Sequence, residues 1–250
     1  MQTFTIWPPS SLLLAALLVV LVSGILRGFT GFGFGLAASP LLSTVMAPSL
    51  AVPVVLILQI GSSLVGVRST VRHADWTSTL ILATAAAVTT PIGIWLLGFL
   101  NIKSVRLAIA LACAASVLVL SQGFRRMKAP NSLYTLPFGL LAGVLGGLCA
   151  MPGPPILGFY LSTPLSAQVA RSSMIAIFLI TACTALVAAL FAGLIHKDVL
   201  SVVLITAPAM ILGTVLGSRL FERSPPGLYR PVGLAALALI ALSAAARALA

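Results

Sequence analysis

Gly28-Phe29-Thr30-Gly31-Phe32-Gly33-Phe34-Gly35, followed by Ser39-Pro40, stands inside a largely apolar stretch that runs from residue 12 to residue 46. A continuous helix is poorly served here, because each glycine costs about 1 kcal/mol relative to alanine and proline removes a backbone hydrogen bond. The reading is an interrupted membrane span. A second stretch, Gly146-Gly147-Leu148-Cys149-Ala150-Met151-Pro152-Gly153-Pro154-Pro155, is still less suited to remaining helical across a bilayer. Backbone groups released at membrane depth are tolerated only where protein or a water-filled cavity satisfies them. Two such interruptions predict a polar site between them, and helix ends facing it offer N–H groups and partial positive charge to an anion. Close packing through small residues also explains the glycines, but not Pro152, Pro154 and Pro155.

Composition sets the surroundings of these stretches. The 250 residues are 60% hydrophobic and 7% charged, at a mean hydropathy of +1.19. Too few polar side chains exist to cover a water-soluble surface, so the expected fold class is an all-α integral membrane protein of about 8–10 segments. The charge of +11 falls at the ends of apolar runs and forms no groove-sized patch, which argues against nucleic acid as a partner. Asp75, Asp198 and Glu222 are the only carboxylate side chains and none lies mid-span, so a relay of buried acids is not expected. Cys113, Cys149 and Cys183 lie in separate apolar segments with no metal-ligand spacing, and read as packing residues. With no paired acids, no nucleophile motif and no phosphate-loop lysine, neither an enzyme nor a cofactor is implied.

Apolar segments fall at about 10–26, 30–46, 50–68, 77–97, 102–121, 133–148, 152–163, 167–192, 199–218 and 229–248. The polar stretch with Arg125, Arg126 and Lys128 divides them into a first repeat (1–121), a cytoplasmic linker (122–132) and a second repeat (133–250). Gly28-Phe29-Thr30-Gly31 and Pro40-Leu41-Leu42 recur 115 residues later as Gly143-Val144-Leu145-Gly146 and Pro155-Ile156-Leu157. His73-Ala74-Asp75 is echoed by His196-Lys197-Asp198, and Gly93 by Gly213. Matches in one order argue for duplication. If the interrupted segments change side, Lys103, Arg106, Lys197 and Arg247 face one side and the other ten of the 14 Lys and Arg face the cytoplasm. Five crossings per half then make the repeats inverted.

The paired Gly-rich segments ending in Pro-Leu-Leu and Pro-Ile-Leu, each followed by a long span, a His-x-Asp link and a Gly-containing span, resemble the sulfite exporter TauE/SafE family. The resemblance covers nearly the whole chain, with Phe32 and Phe34 standing where the commoner pattern is a glycine run. It implies a carrier that moves small sulfur-containing or organic anions, such as sulfite, sulfonates or sulfo-carboxylates, across the bacterial inner membrane. The expected partners are such an anion and the lipid bilayer, and a homodimer stays open. An anion channel or a non-transporting membrane subunit are the rival readings.

The expected anion site gathers Thr30, Gly31, Gly33, Gly35 and Ser39 from the first interruption, and Gly146, Gly147, Met151 and Gly153 from the second. Gln168, Arg171 and Ser172 follow the second, where Arg171 offers a planar cationic fork to an oxyanion or else anchors to lipid phosphate. Gln59, mid-span, is either a ligand contact or a helix-packing amide. Arg27 reads as an anchor at the cytoplasmic edge. Asp75 and Asp198 read as helix caps, and Trp7, Trp76 and Trp95 as interfacial belt residues.

Overall fold

A computed structural model describes residues 10–65, 67–121 and 132–224. The described residues form helices and turns only: α1 (Ser10–Thr30), α2 (Phe34–Val45), α3 (Pro48–Leu64), α4 (Val67–His73), α5 (Trp76–Phe99), α6 (Ile102–Ser121), α7 (Ser132–Cys149), α8 (Gly153–Ser162), α9 (Ala167–Phe191) and α10 (Lys197–Arg223). Four of them, α1, α5, α9 and α10, are long and apolar enough to cross a membrane. Their outer faces carry large apolar side chains turned away from the protein, Phe191 at 90% exposure and Leu204 at 75% among them. Such a surface needs lipid as its solvent, and the chain is a membrane protein. The 122–131 linker, the 229–248 segment and Trp7 lie outside the described residues.

Two parallel helix pairs frame the bundle. Gly24 and Gly28 of α1 meet Gly213 and Gly217 of α10; Gly139, Gly143 and Gly147 of α7 lie successively against residues 82–85, 86–89 and 90–94 of α5. A β-carbon at Gly24 would come within 2.9 Å of Met210 O, so the backbones approach this closely only because the side chain is missing. Between the pairs stand α3 and α9, which pack on each other, while α2 and α8 lie against α3 and α9 respectively.

The interruptions are shorter than the glycine and proline content suggests. Gly31 and Gly33 take φ of +77° and +104°, which only glycine adopts readily, and α1 ends there. Gly35, Ser39 and Pro40 do not interrupt anything: α2 is helical through all three. In the second stretch Gly146 and Gly147 are helical, the chain turns at Ala150 (φ +55°), and α8 begins at Gly153. Pro154 and Pro155 sit in its first turn, where a missing N–H leaves no bond unmade. These prolines start a helix.

Local chemistry fixes the remaining ends. Asp75 caps α5 by accepting from Ser78 N–H at 3.2 Å. Asp198 is not a cap; it lies in the first turn of α10, where His196 holds the cap position, and its charge complements the positive helix end. Cys113 and Cys149 are buried, whereas Cys183 is on the outer surface. Trp76 and Trp95 are exposed, Trp95 stacked on Phe99 with centroids 4.9 Å apart.

Candidate functional site

The starts of α2 and α8 face each other in the middle of the bundle. A β-carbon at Gly35 would collide with the Ala150 carbonyl, and one at Gly153 would come within 2.9 Å of Leu36 Cδ1. Between them lies a cavity of about 10 Å³, room for roughly one water molecule. Its lining includes Arg27, Gly33 to Leu36, Gln59, Ala150 to Gly153 and Phe178.

Three kinds of donor converge there. The first intrahelical bond of α2 runs from Ala37 N–H to Gly33 O at 2.8 Å, so the N–H groups of Phe34, Gly35 and Leu36 have no carbonyl within their helix. No side chain caps this end, nor that of α8. Gln59, 3% exposed, lines the cavity, and its Nε2 is buried without a hydrogen-bond partner. The third donor is Arg27.

Arg27 is 2% exposed, which overturns its reading as an edge anchor. Its fork donates to Gly31 O and, at 2.6 Å, to Ser63 Oγ, and its guanidinium carbon lies 5.3 Å from the centroid of the Phe178 ring. Ser63 in turn donates to Gln59 O at 2.8 Å. Among the described residues, the only charged side chain acting on Arg27 is another cation, Arg171. A buried, permanently charged guanidinium is costly without compensation, and here a ring face, a hydroxyl and a helix-end carbonyl supply only part of it. Net positive charge and unbonded donors around one small cavity suit a small oxyanion.

A family model described as Sulfite exporter TauE/SafE matches residues 16–244. The chain belongs to this family. It is 23% identical over 217 residues to the probable sulfite/organosulfonate exporter TauE of Cupriavidus necator, covering 83% of this chain and 84% of that protein. No solved structure matches it significantly.

Within this TauE/SafE chain, Gly33, Gly35, Gln59, Met151 and Gly153 are brought together at the cavity. Thr30 and Gly31 belong to the first interruption but not to the lining: the Thr30 hydroxyl lies 2.7 Å from Leu26 O and accepts from Phe32 N–H at 3.3 Å, holding the turn. Ser39 is buried one turn further along α2. Gly147 packs on Thr90 and Ile94 of α5, Gly146 faces Pro152, and Ser172 is buried away from the lining. Gln168 is exposed, one residue into α9 beyond its first position, and points into no cavity described.

Arg171 is also outside. Its Nη2 donates to Gly28 O at 2.5 Å, with Ser218 Oγ at 3.4 Å, and its guanidinium lies 4.5 Å from the Phe221 ring centroid. It ties α9 to the ends of α1 and α10, and its stem fills the space a side chain at Gly31 would need. Arg27 escapes a sequence reading because it ends an apolar run, as interfacial arginines do. The signal against an interfacial role is the Gly-Phe-Thr-Gly stretch directly after it, in place of a polar loop.

Proposed function

We propose that this protein is a secondary transporter that exports small sulfur-containing or organic anions, such as sulfite, sulfonates or sulfo-carboxylates, across the bacterial inner membrane. The observation that carries it is the cavity in which Arg27, the Gln59 amide and the uncapped start of α2 converge without a carboxylate among its lining residues. Family membership and the name of the Cupriavidus relative point to the same class of cargo.

The mechanism we infer is alternating access between two inverted repeats. Its support is the exchange of partners across the midpoint: the first helix of each half, α1 or α7, lies parallel to the fourth crossing of the other, α10 or α5. With no carboxylate in the described cavity to carry a proton or sodium ion, the reading makes membrane potential the driving force. Contact between Gly35 and Ala150 leaves no open bore, which favours a carrier over an anion channel. Purified protein in liposomes loaded with sulfite, alkylsulfonates or carboxylates tests this: saturable counterflow of one class is expected. Single-channel currents without counterflow point to the channel, and no flux of any anion to a non-transporting subunit.

A further inference from the structure

Buried hydroxyls in this bundle normally bond the carbonyl four residues back. Ser23, Thr90, Thr181, Thr206 and Thr214 all do so, at 2.7–2.8 Å. Ser39 and Ser43 do not. Both are buried, at 0% and 2% exposure, and neither hydroxyl has a hydrogen-bond partner. They lie one and two turns beyond Gly35 on the same face of α2, so they extend in steps of about 6 Å from a residue that lines the cavity. At the far end stands Arg106 of α6, exposed, its Nε donating to Ser43 O at 3.2 Å.

The direction of this row is fixed by the neighbouring helices. The backbone N–H of Asp75, at the start of α5, donates to Ser173 near the start of α9 at 2.9 Å. Arg171 is therefore at the end of the bundle where α5 begins, and Arg106, just after α5 has crossed, is at the other. A buried hydroxyl left unbonded in a dry core is unfavourable, and two in succession with a cation at the end are what a migrating acceptor needs.

We propose that Ser39 and Ser43 form a second, transient anion station between the cavity and the face that carries Arg106. A small oxyanion leaving the cavity takes hydrogen bonds from the two hydroxyls in turn and is then collected by the Arg106 guanidinium. The proposal rests on the transporter reading above and adds the half-path on one side of its site.

The test uses the full chain with Cys183→Ser, in liposomes, and adds one cysteine at a time, Ser39→Cys or Ser43→Cys, with labelling read above that of the background that keeps the buried Cys113 and Cys149. A control, Thr90→Cys, is equally buried but replaces a hydroxyl already bonded. Sulfonatoethyl methanethiosulfonate, an anionic and membrane-impermeant thiol reagent, should label both serine positions and not the control, and an alkylsulfonate should slow that labelling. Ser39→Ala and Ser43→Ala should each reduce alkylsulfonate transport about three- to tenfold, the effect of one hydrogen bond, with no loss in thermal unfolding temperature. Failure of both cysteines to label, or parental transport by the double alanine variant, overturns the station while leaving the carrier intact. Conversely, sulfonate-protected labelling in a protein that moves no anion sustains the station and removes the carrier.

Discussion

Arg27 of α1 lies over the ring of Phe178 of α9, its guanidinium carbon 5.3 Å from the ring centroid, at the point where a buried cation would ordinarily meet an acid. The ring gives up nothing to an incoming anion, whereas a carboxylate would have to be displaced. Removing the charge should therefore abolish transport without unfolding the protein. Arg27→Gln is expected to reduce counterflow by at least about thirtyfold, the lower end of what truncating a buried hydrogen-bonded charge costs, while its unfolding temperature holds or rises. Arg27→Lys keeps the charge but cannot fork to Gly31 O and Ser63, and should fall between the two. Parental flux in Arg27→Gln would falsify the assignment of the cavity as the anion site.

Gly35 tests the contact between the two helix starts. Alanine is favoured over glycine in a helix by about 1 kcal/mol, so Gly35→Ala should stabilise α2 if nothing opposed it. The Ala150 carbonyl opposes it. The expected result is a lower unfolding temperature and loss of counterflow, whereas Gly98→Ala, with nothing within 4 Å of the added carbon, should leave both unchanged.

Gln59 separates stability from function. Its Nε2 is buried without a partner, an arrangement that costs about 1–3 kcal/mol. Gln59→Leu should raise the unfolding temperature by a few degrees and raise the KM for the anion about tenfold, as one lost hydrogen bond to a charged ligand does. A variant that is both less stable and unchanged in KM returns Gln59 to a packing role.

Arg171 should behave in the opposite way. Its hydrogen bond to Gly28 O and its place over Phe221 tie three helix ends together outside the cavity. Arg171→Gln is expected to lower stability by about 1–2 kcal/mol with the KM for the anion unaltered, read by thermal unfolding in detergent and by counterflow in liposomes. A large rise in KM at unchanged stability would restore it to the anion site.

The helices themselves were legible because an apolar run of helical length in so hydrophobic a chain leaves no other structure that satisfies its backbone. Each helix from α1 to α10 except α4 corresponds to an apolar segment read from the sequence. Gly31 and Gly33 were legible as an interruption because glycine takes a positive φ without strain. Ala150 was not, since an alanine at φ +55° is held there by its surroundings. The prolines misled by number: Pro154 and Pro155 look like breakers until the start of α8 is known to fall at Gly153. Which arginine enters the site could not be read locally either. Arg27 directly precedes the first interruption and Arg171 follows the second beyond α8, and only the fold decides that Phe178 and Ser63 receive one while Phe221 and Ser218 receive the other.

The parallel pairing of α1 with α10 has a consequence for biogenesis. Ser218 Oγ reaches Gly28 O across 190 residues of chain. At about 5–20 residues per second, α1 waits roughly 10–40 s for its mate to be synthesised. Its glycine-notched flank meanwhile faces lipid or the insertion machinery, and a transcript cut at the midpoint would yield two fragments, neither able to complete its own packing until co-expressed with the other.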